Sequence, residues 1–326
     1  MLSDLFSDWR WYHYTLVTIV SIILFIIFAV IIMKSIVERK ILNNLRNEYQ
    51  SRASGKLPKF EPKDWAYTLG TPYAAVEEYP CNDPIIIPGS KDAGSLQTAW
   101  GINDRESLIA QLFHLLTNGH RHKFRQEVYF FSDISESDYE QIKKDIQKED
   151  DEDGEAKELL WRAEVVRKNL NNIQTVNFLA WDYVRYIKLI CNGISTEYLS
   201  REEADNFVQI ITHTVQREYK SWEEFWHHFL LGRWYWSSTD MRWTITQDLY
   251  GKIVTLINEE PGGPSNTLNW NTNLSEADIA PFVNAVLTLD YENEEGEKLG
   301  EDEIKNMIRS TLENGGYFPE PAEIQA

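Results

Sequence analysis

The chain has 326 residues, 43% of them hydrophobic and 25% charged, a composition that fits one or two domains and makes most of the chain ordinary globular protein rather than disordered tail. Its net charge of −19 is unevenly spread: residues 1–56 carry seven Lys/Arg against four Asp/Glu, about +3, leaving −22 for the remainder. So acidic a body repels phosphate backbones and anionic lipid headgroups and argues against nucleic acid as a partner, and two cysteines, Cys81 and Cys191, are too few for a disulfide framework and leave only a single bridge open.

In chain order, residues 1–15 read as a short stub outside the cytoplasm. Leu16–Met33 (LVTIVSIILFIIFAVIIM) follows with no charge. At 1.5 Å per residue these eighteen residues span about 27 Å, close to a hydrocarbon core. Thr18 and Ser21 can bond back to the helix, and Trp9, Trp11, Tyr12 and Tyr14 suit an interfacial belt. A cleaved signal peptide fits less well, because Asp4 and Asp8 precede the run and Ile32-Met33-Lys34-Ser35 offers no small-residue cleavage site. Lys34, Arg39, Lys40, Arg46 and Arg52 follow the span, and only Arg10 and the amino terminus precede it. The positive-inside rule therefore orients the C-terminal side to the cytoplasm, with the N-terminus outside. Removing residues 1–50 is expected to leave a soluble body.

Residues 34–56 read as a helical stalk, with Ile36, Val37, Ile41, Leu45 and Tyr49 near helical spacing. Residues 57–99 hold Pro58, Pro62, Pro72, Pro80, Pro84 and Pro88, which predicts an extended wrap with one buried strand at Ile85-Ile86-Ile87. From Trp100 the pattern is helical. Asn103 with Glu106 suggests a capping box ahead of Leu108, Ile109, Leu112, Phe113 and Leu116, with a stop at Asn118-Gly119. Residues 133–156 are polar and acidic, and Lys157–Leu170 is helical. An apolar stripe from Ile173 to Ile190 stops at Asn192-Gly193. Ser200 with Glu203 caps the next helix (Ala204, Phe207, Val208, Ile211, Val215), and Ser221 with Glu224 caps another containing Phe225, Phe229 and Leu230. Further helices are expected at Met241–Ile257, Glu276–Leu287 and Glu301–Leu312. The fold class is mainly α: a single transmembrane helix, an irregular wrap, a compact helical core over 100–272, and a C-terminal helical extension with an acidic tail over 273–326.

Chemistry is sparse. The acidic run Glu149–Gly154 aligns with a calcium loop, but the twelfth position falls on Leu160, where a bidentate Glu is needed. His120 and His122, and Glu223 with His227, make incomplete metal sets. No nucleotide, dinucleotide or serine-hydrolase motif occurs, so no cofactor, metal or catalytic residue is assigned. The unusual feature is tryptophan: twelve in the chain, eight of them between Trp161 and Trp270, several beside charge. The candidate binding residues are His120, Arg121, Trp181, Asp182, Arg185, Trp222, Arg233 and Trp236. Arg185 and Arg233 are expected near aromatic rings, with Asp182 pairing one of them. The cluster reads first as core, its indole N–H groups and Arg heads satisfying one another, and second as a ligand pocket.

Six segments carry a resemblance. In order they are Trp100-Gly101-Ile102; Gly119-His120-Arg121 with Phe124; Ala180-Trp181-Asp182 with Arg185; Tyr198-Leu199-Ser200 with Glu203-Ala204; Ser221-Trp222-Glu223-Glu224-Phe225; and Leu231-Gly232-Arg233 with Trp236. Together they resemble the bacterial domain of unknown function 1266 family over about Trp100 to Trp270. That family tends to close on a Ser-Pro-Trp turn and a Pro-Trp, where this chain has Ser265-Asn266-Thr267 and Asn269-Trp270, and the membrane anchor is an addition. The resemblance implies a bacterial protein and brings no activity with it. The expectation is a membrane-tethered helical interaction module at the bacterial inner membrane. Its partners would be the lipid bilayer and another protein, and the alternative is an enzyme or small-ligand binder.

Overall fold

A computed structural model describes residues 11–80, 91–146, 154–236, 248–292 and 297–317. The first helix, α1 (Trp11–Ala53), is unbroken for 43 residues. Its first part is apolar and long enough to cross a membrane. The large side chains from Leu16 to Met33 are all exposed, and the Thr18 hydroxyl donates back to the Tyr14 carbonyl at 2.8 Å. Past this run the helix changes role. Ile41, Leu45 and Tyr49 enter the core of the folded domain, while Ile36 and Val37 stay exposed. The predicted stalk is thus helical but is part of the domain. Removing residues 1–50 would strip three core residues, so the expectation that such a cut leaves a soluble body is not supported.

Over its described residues the predicted extended wrap is instead a series of short helices. A 3-10 turn at Pro62–Asp64 leads into α2 (Trp65–Thr68) and α3 (Thr71–Glu77), and α4 (Lys91–Trp100) follows. Pro62 and Pro72 stand in the first turn of their helices, where a missing N–H leaves no bond unmade. The Ile85-Ile86-Ile87 strand and the acidic run at 149–153 lie outside the described residues.

Next come α5 (Arg105–Thr117), α6 (Gly119–Asp133), α7 (Glu136–Ile146) and α8 (Glu155–Arg167). The cap of α5 is Asp104 with Ser107, one residue later than the predicted pair. Asn118-Gly119 ends α5 as predicted, but α6 begins at once, and α7 lies within the polar and acidic segment 133–156.

The axis of the domain is α9 (Leu179–Ser195), in which every residue is buried. It runs through Asn192-Gly193, where a stop was predicted; Gly193 fits there because a Cβ would sit 2.7 Å from Leu108 Cδ2. Around it stand α10 (Arg201–Gln209), α11 (Thr212–Glu218), α12 (Trp222–Trp236), α13 (Leu249–Glu259), α14 (Pro264–Thr267), α15 (Ala280–Leu287) and α16 (Glu301–Glu313). The Ser200–Glu203 capping box forms as predicted, although its helix breaks at Ile210. Among the described residues the only strand-like pairing is an isolated bridge between Glu292 and Lys298. One contiguous core runs from Ile41 of α1 to Ile308 of α16.

Candidate functional site

Four of the eight candidate residues meet around one carboxylate. Asp182, in the first turn of α9, has no exposed side-chain surface. Its Oδ1 accepts from the His120 backbone N–H at 3.0 Å, and its Oδ2 from the Arg121 backbone N–H at 3.1 Å. It therefore caps the N-terminus of α6 from another helix, where negative charge is favoured. The same carboxylate pairs with Arg121 Nη1 at 2.9 Å and with Arg185 Nη2. Burial pushes the Asp182 pKa up, but the Arg185 and Arg121 guanidiniums outweigh it and hold the group below its ordinary value.

Arg121 is equally sealed. Its Nη1 and Nη2 donate to the Leu115 and Leu116 carbonyls at 2.7 and 2.6 Å, two acceptors left open at the end of α5. Its Nε donates to the Gly316 carbonyl, tying the C-terminal segment to the centre. One guanidinium thus joins the end of α5, the start of α6, the start of α9 and the chain beyond α16.

Arg185 also donates Nε to the Trp181 carbonyl at 3.2 Å and lies 4.6 Å from the Trp181 ring centroid and 5.6 Å from that of Trp100. The Trp181 indole N–H donates to His120 Nδ1 at 3.2 Å, and the His120 ring stands 4.7 Å from that of Trp236. Burial, then the nearby Arg185 charge, lowers the His120 pKa to about 4, so at neutral pH its Nδ1 is free to accept that bond. The H-x-H pair diverges: His122 instead faces the Tyr317 ring, 5.7 Å away.

Arg233 does not join this centre. It bridges to Asp248 at 3.0 Å and lies 4.1 Å from the Tyr250 ring centroid. The expectation that Asp182 pairs one of the two arginines holds for Arg185, and both arginines lie over rings. The Arg185 guanidinium lies over a Trp ring as expected, and that of Arg162 over another, while several indole N–H groups find acceptors of their own. Trp222 donates to the Leu268 carbonyl at 2.9 Å, Trp270 to the Tyr219 carbonyl at 2.8 Å. Trp222 belongs to a second aromatic group, 5.0 Å from Trp65 and 5.0 Å from Trp270 by ring centroids.

Two features escaped the sequence. Glu127 of α6 takes Arg162 Nε at 3.1 Å and the Tyr235 hydroxyl at 2.7 Å, while Arg162 lies 4.6 Å from the Trp236 ring. Neither residue sits at a motif, and their partners are set only by the packing of α6, α8 and α12. The other is an open groove of about 1130 Å³ between α12 and α13. Buried Trp222, Leu230, Val254 and Trp270 line it, with exposed Glu223, His227 and Glu259 and half-buried Glu224 around them, and no Lys or Arg.

A model of one family, described as Protein of unknown function (DUF1266), matches residues 95–270. The chain is similar to two Escherichia coli (strain K12) proteins. It is 27% identical to Uncharacterized protein YbeR over 145 residues, 44% of this chain and 58% of that protein. It is 24% identical to Uncharacterized protein YbeU over 202 residues, 59% of this chain and 82% of that one. The chain thus spans less than two thirds of the length of YbeR. No solved structure matches. With more than half its residues inside the family's bounds, the chain belongs to the family described as Protein of unknown function (DUF1266).

Proposed function

We propose that this chain is a membrane-tethered helical interaction module of the bacterial inner membrane, with its N-terminus outside and its helical domain in the cytoplasm. In this reading the groove between α12 and α13 takes a basic segment of a protein partner. The groove carries the reading: its mixed lining holds three carboxylates, Glu223, Glu224 and Glu259, two tryptophans, Trp222 and Trp270, and no Lys or Arg. An acidic groove with no cation of its own suits Lys or Arg side chains through charge. The orientation is supported by Lys34, Arg39 and Lys40 directly after the apolar run. A small-ligand site on His120, Arg121, Asp182 and Arg185 has less support, because Arg121 and Asp182 are sealed from solvent.

The test is a photocrosslinker at exposed Thr255, which lines the groove, in the full-length protein in membranes. A crosslinked peptide rich in Lys and Arg is expected, and the double reversal Glu223→Lys, Glu259→Lys should abolish it. Capture that ignores the reversal, or no capture, would overturn the reading. A reporter fused after Ala326 should behave as cytoplasmic; periplasmic activity would overturn the orientation.

A further inference from the structure

The way α1 enters the domain fixes where the bilayer must lie. Glu38 of α1 pairs with Lys252 of α13, and Arg46 of α1 pairs with Glu260 at the end of α13 at 3.1 Å. Eight residues separate the two positions on each side, so at about 1.5 Å per residue both helices advance by about 12 Å between the pairs. They therefore run parallel and in step. Counting back four residues from Glu38 and from Lys252 sets Asp248, Leu249, Tyr250 and Gly251 level with Lys34, Ser35, Ile36 and Val37.

That level is where the exposed apolar stretch of α1 ends. Ile36 and Val37 are 61% and 54% exposed although apolar, and the first core residue of α1, Ile41, comes one turn later. Counting them, the apolar run extends from Leu16 to Val37, about 33 Å of helix, with Lys34 near enough to its end to reach the headgroups. Two more elements converge there. The residue after α3, Glu78, pairs with Lys40 at 2.8 Å. Helix α12 runs antiparallel to α13: Arg233 meets Asp248, whereas the Trp226 indole, seven residues earlier, meets Ser265, which bonds Asn258. Its last turn thus ends at the same plane, with Trp234 packed on Trp161 and Trp236 on His120.

We propose that this end of the domain rests on zwitterionic phospholipid headgroups: the last turns of α3 and α12 and the first turn of α13 form a docking face for the bilayer that α1 crosses. The domain is pressed against the membrane by a continuous helix and does not swing on a stalk. The proposal depends on the membrane reading above, and the experiment separates the two.

Full-length protein carrying Cys81→Ser, with Cys191 left in place because it is buried, is spin-labelled at one introduced cysteine. It is reconstituted into phosphatidylcholine vesicles doped with a nickel-chelating lipid. The label sites are Glu78→Cys and Lys252→Cys on the proposed face, Lys56→Cys just beyond the far end of α1, and Phe25→Cys in the apolar run. Headgroup nickel should relax labels at 78 and 252 several-fold faster than the label at 56, and oxygen should relax the label at 25 far more than a water-soluble relaxant does. If the label at 25 sits in hydrocarbon while 78 and 252 match 56, the docking face is wrong and the membrane reading stands. If the label at 25 is in water, both fail. Proper folding of each labelled protein is checked by its thermal transition, and the two independent face sites guard against one perturbed variant.

Discussion

Gly119 and Asp182 are in such close contact that a Cβ on residue 119 would overlap the Asp182 Oδ2 atom. Gly119 also has a φ of +63°, in the left-handed region where L side chains are strained. The glycine lets the α5–α6 junction drop onto the carboxylate, so that the first N–H groups of α6 and the Arg121 guanidinium reach it together. Gly119→Ala should therefore destabilise the domain by at least about 3 kcal/mol, the range of core strain and broken buried networks. Urea unfolding of the two proteins gives the comparison, and a loss below about 1 kcal/mol would show that the junction relaxes easily.

The charge network predicts a specific pattern of coupling. Asp182→Ala leaves the buried Arg121 and Arg185 charges without their carboxylate, and Arg121→Ala takes one of two guanidiniums from Asp182 and the donor from the Leu115, Leu116 and Gly316 carbonyls. Each should cost about 3–5 kcal/mol, and the double variant should lose clearly less than the sum. Arg233 is paired with Asp248 instead, so Asp182→Ala with Arg233→Ala should be close to additive. Coupling at Asp182–Arg233 as strong as at Asp182–Arg121 would contradict the arrangement.

What was legible in the sequence was what is local. Ser200 and Glu203 close a capping box within four residues, and the spacing alone revealed it. Helix α6 was missed because the carboxylate that caps it, Asp182, stands 62 residues from His120, and the local residues Asn118 and Gly119 spell a stop. The prolines misled for a related reason. Pro62 and Pro72 start short helices rather than forbid them, and those helices persist because Trp65, Ala66 and Leu69 are fully buried against the domain. At the site, residue types were readable and pairings were not. Asp182 with Arg185 is a three-residue spacing on one helix, whereas Arg121 with Gly316 and Glu127 with Arg162 exist only once the helices pack.

Acid should weaken the fold in two stages. His120 has its pKa lowered from 6.5 to about 4 by burial and by Arg185, so the unfolded chain binds the proton more tightly. Its contribution to stability is complete above pH 6.5 and is lost as pH falls toward about 4, on the order of 1–3 kcal/mol. Asp182, whose folded pKa lies below its ordinary 3.8, contributes stability above that value and loses it as pH falls further, through the folded pKa. His120→Gln keeps an acceptor for the Trp181 indole but cannot titrate. Its stability should depend less steeply on pH between 6.5 and 4, with His114 and His228, also lowered by burial, retaining part of the slope. Parallel stability curves for wild type and His120→Gln would remove His120 from this account.

The joint between α1 and the domain gives the last prediction. The turn at Pro261-Gly262-Gly263-Pro264 grips the helix so closely that a Cβ on Gly262 would overlap the Tyr49 carbonyl oxygen and come within 2.9 Å of the Ala53 nitrogen. Both neighbours are backbone, so neither can move aside cheaply. Ile41, Leu45 and Tyr49 fill the core on the same side, and each buried side chain of this size stabilises by about 1.5–3 kcal/mol. The truncation point should therefore decide the outcome. Starting the chain at Lys34 removes the apolar run and keeps every core residue of α1, so this protein should be soluble and unfold cooperatively. Starting it at Ser51 removes all three core residues, and this protein should aggregate or lose its cooperative transition. Gly262→Ala in the longer truncation should fall between them, with protease cleavage appearing in residues 41–53 before the rest of the domain is cut. Equal melting temperatures for the two truncations would mean that α1 is a tether after all, and that the in-step packing of α1 on α13 adds nothing to the fold.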